Sequence, residues 1–216
     1  MNTIVLAAME EELACVAKNA GVRVRCCGVG KVNAALAVTA CMSPGARHET
    51  IIVIGTSGAA DPRLEVGDVV IATDTLFHDV DVTALGFAPG QIPFAEKWRW
   101  ESDLSLIGLA HTAVRQANGR VTFGRVVTGD RFVSDPSDVA HIYETFGASA
   151  IDMETAAVAM AVERSPEFQH GGTRWCSIRI ISDRADKSAA ADFPAFLPRA
   201  AEMIGRIVEE IVMLIC

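Results

Sequence analysis

The sequence predicts an α/β fold in which a single domain spans residues 1–216. Three observations predict it. Short apolar runs of strand length alternate with longer segments of helical period, the pattern of a largely buried sheet with helices between its strands. Hydrophobic residues make up 50% of the chain and mean hydropathy is +0.29, enough to fill one large core. No linker, internal repeat or low-complexity stretch divides the chain.

The elements follow in order. Thr3 to Ala8 reads as the first strand, and Glu10 to Ala20 as a helix, acidic in its first turn and closed by Gly21. Val22 to Cys27 is the second strand. Gly28-Val29-Gly30 then turns tightly into an alanine-rich helix from Lys31 to Met42, which Ser43-Pro44-Gly45 ends. Strands at Thr50 to Gly55 and Asp68 to Thr73 flank a loop, Thr56 to Pro62, small and polar enough to line a site. A strand from Thr75 to Val80 leads into an irregular stretch from Asp81 to Trp100; loops of that length are usually functional or interfacial. Beyond it come a helix from Glu101 to Ala117, a strand from Arg120 to Thr128, a short helix from Pro136 to Phe146 and a strand from Ala148 to Asp152. The pattern ends with a helix from Met153 to Arg164, a strand from Arg174 to Ile181 and an amphipathic helix from Phe193 to Ile215.

Charge and cysteine usage exclude several classes. Net charge is −8 and the basic residues are scattered, so the footprint of a nucleic-acid binder is missing. Cysteines 15, 26, 27, 41, 176 and 216 form no Cys-x-x-Cys pair, which fits reduced thiols. The opening residues carry no basic stretch and run into three glutamates, unlike a secretory signal. No apolar run reaches the roughly 18 residues of a membrane span. A cytoplasmic protein without membrane partners is expected.

Two carboxylates stand out. Glu12 and Asp183 each follow a strand-like run, and ligands of open α/β sheets bind at the carboxyl ends of strands. Two acids delivered there can converge on one bond, the layout of an acid/base enzyme. Plainer readings stand beside this one. Glu10, Glu11 and Glu12 suit a helix N-terminus, Asp183 and Asp186 suit a turn, and Glu154 suits a cap. Gly28-Val29-Gly30 is a poor phosphate fingerprint on its own. His78, Asp79 and Asp81 alternate along a strand, so they do not face one metal. Phe132 and Phe193 suit a core as well as a site.

Seven motifs in order carry a resemblance: Ala8-Met9-Glu10-Glu11-Glu12, Gly28-Val29-Gly30-Lys31-Val32, Gly55-Thr56-Ser57-Gly58, Val66-Gly67-Asp68-Val69-Val70, Thr128-Gly129-Asp130, Asp152-Met153-Glu154 and Ile181-Ser182-Asp183. Together they resemble the purine nucleoside phosphorylase and nucleosidase superfamily. With His78-Asp79-Val80-Asp81-Val82-Thr83-Ala84 added, the chain is most similar to its 5′-methylthioadenosine/S-adenosylhomocysteine nucleosidases. The resemblance implies a central mixed, twisted and partly barrel-like sheet flanked by helices. It also implies that Glu12 activates water and that Asp183, oriented by Ser182, protonates adenine N7. Glu154 would bind the ribose hydroxyls, with Met153 and Arg179 beside the sugar. Phe132 would stack on the base, the Val133 backbone would meet its amino edge, and Thr56, Ser57 and Gly58 would lie beside sugar and base. Met9, Val29 and Phe193 would meet the 5′ substituent, and Val82, Leu85 and Pro93 would close the same pocket in the partner of a homodimer. An aromatic residue is commoner in the family at the Leu85 position, and the segment from Gly21 to Cys27 is shorter than usual, as if one sheet edge were trimmed.

Breaking a glycosidic C–N bond makes the ribose cationic and the purine anionic unless a proton arrives, so an acid and a base are needed on opposite sides. The acid must hold its proton near neutrality, which points to Asp183 as the carboxyl raised by its surroundings. Phosphorylases of the superfamily place an arginine shortly before the Gly-Thr/Ser-x-Gly loop, where this chain has Val53. Glu11 and Glu12 would repel a phosphate dianion. Hydrolysis of a 5′-modified adenosine without cofactor or metal is therefore the expectation. Its rivals are a phosphorylase, a nucleosidase for a bulkier lipid-linked or futalosine-type substrate, and a nucleoside-binding protein that has lost the chemistry.

Overall fold

The computed structural model describes residues 2–17, 22–42, 49–165 and 172–215. Its strands are β1 (Asn2–Ala7), β2 (Arg23–Cys26), β3 (Glu49–Ala59), β4 (Val69–Phe77), β5 (Arg99–Glu101), β6 (Val121–Thr128), β7 (Ala148–Asp152) and β8 (Arg174–Asp183). The helices are α1 (Lys31–Cys41), α2 (Leu104–Gln116), α3 (Pro136–Phe146), α4 (Thr155–Glu163) and α5 (Ala189–Ile215).

Strand order is β2-β1-β3-β7-β6-β4-β5, and β8 pairs with both β3 and β4. Pairing β8 on both sides closes β3, β7, β6, β4 and β8 into a ring, with β1 and β2 as a parallel extension beside β3. The sheet is mixed: β3 runs antiparallel to β7, and β4 to β8, while β3–β8, β4–β6 and β6–β7 are parallel. This is the mixed, partly barrel-like architecture that the resemblance implies.

Period-two alternation explains how β1 and β3 bury both faces. Val5, Ile52 and Ile54 face α2 and α5 with Val69, Ile71, Ile178, Leu106, Ile204 and Ile211. Ile4, Leu6, Ile51 and Val53 face the other way, against Val38 of α1 and Val158 and Val162 of α4. Helix ends follow local chemistry: Asp103 and Asp135 cap α2 and α3 through their side chains, and Gly147 closes α3 at φ 61.

The structure departs from the sequence reading in five places. Glu10 to Cys15 forms successive turns rather than a helix, bonded Leu13 N to Glu10 O, Ala14 N to Glu11 O and Val16 N to Leu13 O. Glu12 turns inward there and accepts from the Ala8 and Met9 amides, which pulls the chain back over the end of β1; residues 18–20 of the expected helix lie outside the described residues. The expected loop at Thr56 continues β3 as far as Ala59, because Thr56, Ser57 and Gly58 pair with β8. Two expected strands are one, β4, and a register shift between Ala72 and Asp74 makes Thr73 the extra residue that interrupts the pattern. Within the long stretch after Val80, β5 pairs with β4 and Trp100 is buried edge-on against Phe77. Finally β8 runs on to Asp183, and α5 begins at Ala189 with Pro194 and Pro198 inside it.

Candidate active site

The carboxyl ends of β1, β3, β7 and β8 meet around one cavity of about 200 Å³. Met9, Glu12, Val29, Thr56, Ser57 and Gly58 border it from the first half of the chain. Phe132, Val133, Met153, Glu154, Ser182, Asp183 and Phe193 border it from the second. Thus residues scattered from Met9 to Phe193 converge on one space.

Glu12 is 1% exposed. Its Oε1 accepts from the Thr56 amide at 2.7 Å and the Thr56 hydroxyl at 2.8 Å, and its Oε2 from the amides of Ala8 at 3.1 Å and Met9 at 3.2 Å. Every one of these partners donates, which suits an acceptor-only carboxylate. Gly55 makes the approach possible, since a Cβ there would stand 2.9 Å from Glu12 Oε1 and 2.9 Å from Arg179 Nη1.

Asp183 closes β8 at 2% exposure. The Ser182 hydroxyl lies 2.7 Å from its Oδ2, and the Ala185 amide donates to Oδ1 at 2.8 Å. Ser182 Oγ also reaches the Ser57 carbonyl at 3.2 Å. Burial pushes the Asp183 carboxyl above the usual range against those two hydrogen bonds, and Asp186 and Asp192 push it the same way. Thr56, beneath Glu12, and Gly58, paired with Asp183, are two residues apart on β3, roughly 7 Å of strand.

Glu154 is the third buried acid. Its Oε1 accepts from the Gly30 amide at 3.0 Å, so the turn before α1 is tied to the start of α4. Burial pushes its carboxyl up to about 7, opposed by Arg179 and reinforced by Asp152. Arg179 lies behind the cavity, outside its lining, with Nη2 at 2.8 Å from Asp152 Oδ2 and Nη1 at 3.7 Å from Glu154 Oε2. Burial alone would lower the Arg179 guanidinium, but Asp152, Glu154 and Glu12 together hold it raised.

Phe132 is half exposed at the mouth and meets Phe193 edge-on, their centroids 6.2 Å apart. Val82, Leu85 and Pro93 do not border the cavity of their own chain. Val53, where a phosphorylase arginine would stand, is a buried core residue. Among the described residues, no group of three or more His, Cys, Asp or Glu is placed to hold a metal, and no helix is long and apolar enough to cross a membrane.

Ala8, Arg131, Ile151, Asp152 and Ala185, to which the sequence assigns no role, also border the cavity. A signal existed for Asp152: an arginine inside an apolar strand, as Arg179 is, requires a buried countercharge. Ala185 carries no chemistry of its own and gave none.

Residues 4–213 match the family described as Phosphorylase superfamily. The chain is 36% identical over 176 residues to a 5′-methylthioadenosine/S-adenosylhomocysteine nucleosidase of Actinobacillus succinogenes, covering 81% of this chain and 73% of that one. It superimposes with TM-score 0.85 at 36% identity on such a nucleosidase from Neisseria meningitidis in complex with methylthio-immucillin-A, covering 98% of each chain. A futalosine hydrolase mutant of Helicobacter pylori is similar at TM-score 0.87 and 25% identity, over 99% of this chain and all 100% of that one. The chain belongs to the phosphorylase superfamily and, within it, to the 5′-methylthioadenosine/S-adenosylhomocysteine nucleosidases.

Proposed function

We propose that this protein, an N-glycosidic hydrolase by family, releases adenine from 5′-modified adenosines of the methylthioadenosine, S-adenosylhomocysteine and 5′-deoxyadenosine type. One observation carries the reading: Glu12 and Asp183 border a single cavity, the first surrounded by donors and the second by a setting that favours its proton.

In this mechanism Glu12 takes a proton from water as the water oxygen bonds to C1′. The C1′–N9 bond breaks, its electron pair passes into the purine, and Asp183 gives its proton to N7, so that neutral adenine departs. Ser182 orients the acid. Glu154 accepts the ribose hydroxyls and places negative charge near the developing cation; Met153 packs at the sugar, and Arg179 acts from behind by holding Glu154. Phe132 stacks on the base above Thr56, Ser57 and Gly58, and the Val133 backbone meets its amino edge. The 5′ group lies against Met9, Val29 and Phe193, and in a homodimer Val82, Leu85 and Pro93 of each protomer close the other's pocket.

Likeness to a futalosine hydrolase favours one second reading, a bulkier 5′ substituent. Free adenine measured over a panel of substrates differing only at the 5′ position separates the two. Running the methylthioadenosine arm with and without phosphate tests hydrolysis itself: equal rates are expected, and strict dependence on phosphate would overturn it.

A further inference from the structure

Asp183 lies one residue beyond a break in the β3–β8 ladder. Ser57 pairs with Ile181 and Gly58 with Asp183, which leaves Ser182 as the extra residue of a bulge. Neighbours on a regular strand face opposite sides, and the bulge is what lets the Ser182 hydroxyl reach the next residue's carboxyl. Two residues further on, Ala185 adopts φ 50, a conformation uncommon outside glycine and often found at functional sites. That conformation aims its amide at Asp183 Oδ1, and the residue is 1% exposed.

The space opposite is closed by a glycine. A Cβ on Gly58 would stand 3.0 Å from the Ala185 Cβ and 3.3 Å from Asp183 Oδ1. Backbone conformation does not demand glycine there, because Gly58 is not left-handed. Nor can its backbone retreat easily, since it is paired with Ile151 of β7 on one side and with Asp183 on the other. The missing side chain is explained by the room that Ala185 and Asp183 occupy.

We propose that Gly58 and Ala185 are a matched pair of positioning residues, sharing the room of one methyl group beside Asp183 and thereby fixing the aim of its carboxyl. The proposal rests on the reading of Asp183 as proton donor. Misplacing a reacting group by about 1 Å can cost on the order of 100-fold in rate, so a crowded methyl here has leverage. The pair also acts on protonation. The Ala185 amide bond favours the charged carboxylate, so weakening it makes the acid hold its proton to higher pH. Asp186 on the following turn and Asp192 on α5 add negative charge, β3 presents none to the acid, and Glu12, Asp152, Glu154 and Arg131 border the same cavity.

The test uses Gly58→Ala, Ala185→Gly and the double variant in the full chain, with kcat, KM and the pH profile of kcat read by adenine release. Gly58→Ala is expected to lower kcat by about tenfold or more with KM changed less, and to move the basic limb of the profile to higher pH. Ala185→Gly removes the methyl without a clash, because glycine accepts φ 50; it is expected to cost about threefold in kcat and to move the limb the same way. The double variant should recover to the level of Ala185→Gly, a coupling that independent structural damage does not produce. A normal rate in Gly58→Ala, or a double variant no faster than it, overturns the pairing. If Gly58→Ala does not fold, Ala185→Gly decides alone, and an unchanged kcat and limb reject the proposal. Asp183→Asn run beside them separates the two claims: an active Asp183→Asn removes the acid itself, whereas an inactive one with a normal Gly58→Ala removes only the pair.

Discussion

Arg179 and Asp152 form an ion pair at 2.8 Å in which each side chain is 1% exposed. The remaining valences are met locally: Asp152 accepts from Thr128, Thr155 and the Glu154 amide, and Arg179 donates to Thr155 and to the Thr56 carbonyl. One buried pair thus joins the chain beneath Glu12 to the start of α4, which Glu154 immediately precedes. Removing the Asp152 charge leaves Arg179 only the longer 3.7 Å approach to Glu154, so Asp152→Asn should lower unfolding free energy by about 3–5 kcal/mol in urea titration. Removing both should cost less. An Asp152→Leu/Arg179→Met variant no more stable than either single change would show that the charges do not depend on one another.

Glu12→Gln tests the base through the same logic of donors. An amide can accept at only one of its two heteroatoms, so its NH2 must face either the Thr56 pair or the Ala8 and Met9 amides. We expect a stability loss of about 1–3 kcal/mol from those unmet donors. Turnover should fall by about 100-fold to 10,000-fold, since proton transfer is lost as well. Adenine release within tenfold of the parent protein would remove Glu12 from the base role.

Where local patterning and burial agree, the sequence was legible. The α3–β7 passage is legible to its boundaries because Asp135, Pro136 and Gly147 punctuate it chemically. The segment after β1 reads as a helix because three glutamates before an apolar run satisfy the rules for a helix start, whereas Glu12 turns its carboxylate onto backbone amides at the strand end. Thr56 and Ser57 read as loop because Gly55 and Gly58 flank them and glycine is depleted in strands, and only the distant partner β8 makes them strand. Glu12, Glu154 and Asp183 stand out in the sequence through the motifs that carry them, and all three border the cavity. The depth of Arg179 and the backbone of Ala185 depend on three-dimensional context that no local spacing encodes.

Glu154 gives the protein a pH dependence whose sign is fixed by burial. Its carboxyl is raised from 4.5 to about 7, so the folded chain favours the protonated form. That contribution is fully present below 4.5 and is lost as pH rises through about 7. Glu154→Gln cannot ionise, so its Tm should gain on the parent protein's between about pH 5 and about pH 8. Sugar binding runs the other way, because a carboxylate accepts both hydroxyls and its protonated form does not; kcat/KM of the parent protein should therefore fall below about pH 7. A Tm difference constant across this range would show that Glu154 does not titrate there.

The segment after β4 carries apolar side chains that its own fold leaves uncovered. Leu85 is 74% exposed and Phe94 is 95% exposed with φ 59, and Phe94 meets Phe87 edge-on at 5.7 Å. Holding Phe94 outward in a left-handed backbone beside an exposed Leu85 is unfavourable for an isolated chain, and a proposed dimer gives both cover. Truncating a central interface side chain commonly costs more than about 1 kcal/mol, so Leu85→Asp, which adds a charge, should weaken self-association by at least about tenfold in sedimentation. KM for a 5′-alkylthio substrate should rise with it, because the pocket would lose its cover together with the subunit contact. A parent protein that is monomeric at assay concentration, or a dimer indifferent to both Leu85→Asp and Phe94→Asp, would place subunit contact elsewhere and leave the 5′ end of the cavity open to solvent.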